Sequence, residues 1–154
     1  MTPETSTVRD AYMRWLRTEG LLLATPLVTV AVAQLALSSA SEYPPPPLGL
    51  HSMMLAIAVG AVAFGRALKR RPTQGGTGHA PAEAIALVRS TSRMLMLAAI
   101  TPSLIGLVLV PITRSIVDLY IMLALTLLGL ITLFPRYVQW ESWYASLTAA
   151  VPER

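Results

Sequence analysis

Apolar residues gather into four blocks, residues 20–40, 48–68, 94–112 and 116–134, each 19 to 21 long and none carrying a charge near its middle. At 1.5 Å of rise per residue such a helix spans roughly 30 Å, the thickness of a bilayer's hydrocarbon core, and it satisfies its own backbone there. The pattern predicts an all-α integral membrane protein with four transmembrane helices, arranged as two tandem hairpins. Outside the blocks the apolar period is that of amphipathic helices. Val8, Tyr12, Trp15 and Leu16 share one face, with Asp10, Arg14 and Arg17 opposite, and Tyr137, Trp140, Tyr144 and Leu147 recur at spacings of three, four and three. A single membrane domain follows: an interfacial helix over 1–19, a first hairpin over 20–71, a linker over 72–88, a second hairpin over 89–136 and an interfacial aromatic tail over 137–154. Trp15, Tyr137, Trp140, Trp143 and Tyr144 are the expected anchors at the membrane–water boundary, and a partner-binding helix is the alternative for both tails.

Composition agrees with an apolar solvent. Hydrophobic residues make up 54% of the chain and charged residues 13%, against roughly 45–50% and 25% in a soluble domain. The charges also assign a topology, because eleven of the twelve basic residues lie in the two tails or between residues 66 and 93, and only Arg114 lies elsewhere. The positive-inside rule then places both termini in the cytoplasm, in a bacterial plasma membrane or an organellar inner membrane. Without Cys there is no disulfide framework or thiolate metal site. Small residues at Ser38, Ser39 and Ala40 fit a signal-peptidase site, but the first block exceeds the roughly 7–15 residues of a signal core, so it is expected to be a retained helix.

The loops read as spacers. Four successive prolines at residues 44–47 favour a stiff polyproline II segment, and the Gly- and Pro-rich stretch after Arg71 favours a flexible linker. Its Gly-Gly-Thr-Gly at 75–78 is followed by no Lys-Ser or Lys-Thr, so it is not a phosphate loop.

Two Thr-Pro steps interrupt the apolar blocks. Pro26 removes the hydrogen bond to the Leu22 carbonyl and Pro102 removes that to Ala98, while the hydroxyls of Thr25 and Thr101 are placed to bond back. Thr25, Pro26, Thr101 and Pro102 therefore mark packing kinks or, in a functional reading, a gate or polar notch. An offset of 76 aligns the two steps and also pairs Arg17 with Arg93, the pattern of a parallel repeat. Other polar residues of the interior are few: Thr29, Gln34, Ser103, Thr126 and Thr132. Two hairpins in tandem resemble the rotor proteolipid of vacuolar-type proton pumps, but no block carries the mid-membrane carboxylate that such a rotor needs. In the second block Ala56 and Gly60, and Ala61 and Gly65, give the small-residue spacing of a helix-packing seam, its partner lying within the chain or in another subunit.

Candidate chemistry is sparse. Arg14, Arg17, Arg66, Lys69, Arg70, Arg71, Arg89 and Arg93 are expected to contact anionic lipid or a polyanion, at roughly 1 kcal/mol per residue near the surface. On the opposite side Glu42, Tyr43, His51, Ser52, Arg114 and Asp118 could assemble a small polar site, with His51 and Asp118 suited to a metal or an acid–base pair. No catalytic residue, cofactor or resident metal is assigned, and no nucleic acid is expected as a partner.

Residues 12–18, Tyr-Met-Arg-Trp-Leu-Arg-Thr, followed by an apolar helix ending in Val-Ala-Val-Ala-Gln-Leu at 30–35, resemble the first helix of the YidH-like small membrane proteins. The same domain forms the membrane part of the vacuolar transporter chaperone, which makes and translocates polyphosphate. Trp15, Leu16, Arg17 and Thr18 match the motif, while its Glu-Arg-Thr element is missing and the family has three helices rather than four. The resemblance implies a small oligomerising membrane module whose arginines line a polyanion path. Taken together, the residues point to a non-enzymatic accessory or scaffold subunit of a larger membrane complex, in contact with lipids, with other subunits or with copies of itself. A homo-oligomeric channel or polyanion conduit is the second reading, and a small membrane enzyme with an outward polar site the third.

Overall fold

The computed structural model describes residues 3–38, 48–70 and 78–149, and among these every element is helical. Six α-helices follow in order: α1 (Pro3–Glu19), α2 (Thr25–Ser38), α3 (Leu48–Arg70), α4 (Pro81–Thr113), α5 (Ile116–Leu133) and α6 (Tyr137–Thr148). Four helical stretches are long and apolar enough to cross a membrane: Thr7–Ser38, Gly49–Arg70, Pro81–Thr113 and Ile116–Leu133. The polyproline segment, residues 72–77 of the linker, Arg71, Glu42, Tyr43, Ser39, Ala40 and the last five residues of the tail lie outside the described residues.

Two boundaries differ from the sequence expectation. The amphipathic α1 is not a separate interfacial helix, because a 3-10 stretch, Gly20–Ala24, carries it directly into α2. Residues 81–88, expected as linker, form the first turns of α4. The Gly- and Pro-rich signal ends at Pro81, which opens a helix as readily as it closes one, and an Ala-rich segment with Glu83 in the first turn follows it. The first and third spans thus hold 32 and 33 residues, roughly 50 Å each, and extend about 20 Å past a hydrocarbon core.

The pair α4–α5 lies at the centre. A Cβ on Gly129 would stand 2.9 Å from the carbonyl oxygen of Ala99 and 3.0 Å from its Cα, so a glycine is what lets the two backbones approach so closely. Both α2 and α3 pack on this pair and make at most marginal contact with each other. The cross-section is therefore a rhombus with α4–α5 as its short diagonal. Thr29 meets Ser103 and Ala33 clusters with Val110, so α2 runs parallel to α4. His51 meets Asp118 and Lys69 meets Thr132, so α3 runs parallel to α5. The two halves are not packed alike, since α4 and α5 form a close pair and α2 and α3 do not.

Candidate functional site at the basic end of the bundle

Beyond the apolar layer, α1, the first turns of α4 and α6 pack together around aromatic rings. Tyr12, Trp15, Phe134, Tyr137 and Trp140 stand with ring centroids 5.4 to 6.1 Å apart, within the range of favourable edge and tilted contacts. Trp15 and Trp140 are each 1% exposed and Trp143 3%. Three of the five expected membrane anchors are thus core residues of this cap, and Tyr137 and Tyr144 are half-buried. An aromatic stripe on an amphipathic helix suits a headgroup layer and a second amphipathic stripe equally, and here α1 and α6 cover each other. The backbone N–H of His79 donates to the Leu147 carbonyl at 2.9 Å and ties the end of α6 to the start of α4. A hydrogen bond to Glu141, with burial adding to it, raises the Tyr137 phenol above its usual value.

On one side of this cap α1 and α4 leave a groove. One cleft of about 390 Å³ is lined by Ala11, Arg14, Arg17, Thr18, Ile85 and Arg89. A second, of about 380 Å³, shares Ile85 and Arg89 and extends to Ser90, Arg93 and Glu19. The lining of the two clefts is mostly alanine and isoleucine side chains and guanidinium groups, with Glu19 as the one acid among them. Glu19 Oε1 lies 3.0 Å from Arg93 Nε and pins α1 to α4, with the Glu19 side chain 10% exposed and that of Arg93 65%. Four of the eight expected basic contacts, Arg14, Arg17, Arg89 and Arg93, come together here from two helices. Arg66, Lys69 and Arg70 end α3 instead, where Lys69 Nζ donates to the Thr132 carbonyl at 2.7 Å. Sequence reading did not pick out Glu19, although a lone acid at the border of an apolar block, one helix away from an arginine at the same depth, carries the signal.

Within the apolar layer the hydroxyls join helices. Thr29 Oγ1 donates to the Ser103 carbonyl (3.1 Å) or the Thr25 carbonyl (3.0 Å). Thr126 donates to Met122 (2.8 Å), and with that proton engaged the Ser103 hydroxyl donates to Thr126 Oγ1, also at 2.8 Å. All three side chains are fully buried. At the Thr-Pro steps, Thr25 Oγ1 donates at 2.7 Å to the Leu22 carbonyl, which loses its α-helical donor to Pro26 and accepts the Thr25 backbone N–H in a 3-10 turn instead. Thr101 bonds back to Leu97 (2.8 Å) rather than to Ala98. Proline in a membrane helix needs such local donors.

Of the small-residue seam, Gly65 faces the bundle, where a Cβ would meet Leu133 and Ala98, and Ala61 is half-buried. Ala56 and Gly60 face outward, with open space beside Gly60. The inward seam of α3 runs through Ala58, Val62, Gly65 and Leu68. Gly129, against the Ala99 backbone, and Gly106, against Thr29 and Met122, also serve close approaches; they were not singled out from sequence, where an isolated glycine in an apolar block is the only signal.

At the opposite end His51 Nε2 lies 2.9 Å from Asp118 Oδ2, joining α3 to α5. Asp118 sits in the first turn of α5, and its backbone N–H donates to Ser115 Oγ at 3.2 Å, a position where a carboxylate is favoured by the helix dipole. Among the described residues no group of three His, Cys, Asp or Glu could hold a metal ion. The pair can hold or pass a proton, or clamp the two helices.

No protein family, curated protein or solved structure matches this chain.

Proposed function

We propose that the protein is a non-catalytic scaffold or accessory subunit of a larger membrane assembly, inserted as two tandem hairpins with both termini and the basic end on the cytoplasmic side. The outward Ala56–Gly60 face of α3 carries this reading. Small residues four apart permit close helix approach in lipid, and here they are turned away from the chain's own core. The buried hydroxyls add support, since Thr29, Ser103 and Thr126 bond one another or backbone carbonyls rather than line a polar path through the monomer. A YidH-like oligomerising module fits the same reading.

Purification from the native membrane in mild detergent, followed by mass and composition analysis, tests it. Gly60→Leu adds bulk where nothing in the chain stands within 4 Å, so the monomer is expected to keep its stability while the assembly dissociates. Recovery of every native complex intact with Gly60→Leu would sink the proposal.

A further inference from the structure

We infer that the groove between α1 and α4 binds one anionic phospholipid, with its phosphate held by Arg14, Arg17 and Arg89 and its acyl chains lying along the two helices below. The arginines stand at headgroup depth, Arg17 three residues before the first apolar block and Arg93 immediately before the third. Each presents planar donors that match phosphate oxygens in pairs, and three guanidinium groups lining one cleft are relieved of mutual repulsion by a shared anion. Of the acids nearby, Glu19 faces Arg93, and Asp10, which lines a neighbouring hollow with Arg14 and Arg17, offsets one of the groove's charges and leaves it net cationic.

What selects a lipid over a soluble polyanion is the surface that continues from the groove. Its floor is Ala11 and Ile85. Towards the membrane the charges stop, and the two helical stretches that continue from the groove expose Leu21 and Val28 on one, Leu97 and Leu104 on the other. A chain of phosphates needs cations along its whole length. A diacyl lipid needs them only at its head and an apolar track beneath, which is the order found here. The inference rests on the membrane reading of the fold and not on the subunit reading, so a protein that proved to be monomeric would leave it untouched.

The test uses the full chain in a neutral detergent. Native mass spectrometry follows titration with dioctanoylphosphatidylglycerol, with dioctanoylphosphatidylcholine and sodium tripolyphosphate as the zwitterionic and soluble comparisons. Saturable one-to-one binding of the glycerol lipid is expected. The pair Arg14→Gln and Arg89→Gln should weaken it about 10- to 30-fold, two charges at roughly 1 kcal/mol each. Arg66→Gln, a basic position on α3 outside the groove, should leave it unchanged, and Ile85→Trp should block the groove with every arginine in place. Thermal melting confirms that each variant is folded. Equal losses from Arg66→Gln and the groove pair would mean diffuse charge attraction and would overturn the site. Displacement of the lipid by tripolyphosphate at equal concentration would overturn its identity as a lipid site and assign the groove to a free polyphosphate.

Discussion

The first and third membrane-spanning stretches look alike in sequence and differ in the fold. They hold 32 and 33 residues, have mean hydropathies of 2.0 and 2.3, and carry Thr-Pro eight residues after an arginine. Yet the protein buries 56% of the apolar window of the third and 11% of that of the first. One helix is the axis of the bundle and the other its wall. Hydrocarbon and protein interior are equally apolar, so hydropathy does not separate them; what separates them is the side chains that permit close approach. Ala98, Ala99, Ser103 and Gly106 of α4 are all buried, whereas Thr29 and Ala33 are the only buried residues of α2.

That comparison is sharpest at the large residues. Leu95 of α4 is 0% exposed and Leu27 of α2 is 74% exposed. Leu95→Ala is expected to cost about 2–5 kcal/mol through lost contacts and the cavity left behind, while Leu27→Ala exchanges protein surface for lipid and should cost a small fraction of that. Reversible unfolding in mixed micelles measures both, and equal losses would mean that α2 is covered by more than lipid. Next in size is Gly129→Ala, whose new methyl would press on the Ala99 backbone. Backbone cannot rotate aside as a side chain can, so about 1–3 kcal/mol of overpacking is expected, again read from unfolding. The smallest effect concerns the hydroxyls. Ser103→Ala removes an interhelical bond worth about 0.6 and at most about 1.7 kcal/mol. Thr25→Val removes a bond to a carbonyl that already accepts the Thr25 backbone N–H, so its loss should be smaller still. A larger loss at Thr25 than at Ser103 would give α2 a structural weight that its exposure does not predict.

Much of the basic end was visible in the chain as separate pieces. Arg14 and Arg17 on an amphipathic stretch before the first apolar block, and Arg89 and Arg93 just before the third, were legible as cations near a membrane border, because charge is excluded from hydrocarbon. That these four, and not Arg66, Lys69 and Arg70, line one groove follows from α4 extending back to Pro81 and packing on α1, which Glu19 secures through Arg93. The aromatic residues illustrate the same limit. Their period was correct and their solvent was not, since Trp15 and Trp140 face each other across α1 and α6 rather than a headgroup layer.

By itself the sequence determined four apolar blocks long enough to cross a membrane, the exclusion of charge from their middles and the hydroxyl that relieves Pro26. Each depends on local quantities: the run of apolar residues against bilayer thickness, and a hydroxyl's reach to a carbonyl one turn back. The tertiary structure decided which helix is central, which small residues face inward, that His51 meets Asp118, and which arginines share a groove. Those outcomes depend on the rotation of each helix about its axis and on which neighbours it meets. In a membrane, where every face is apolar, a rotation is fixed by side-chain volume and a few hydrogen bonds rather than by hydrophobicity.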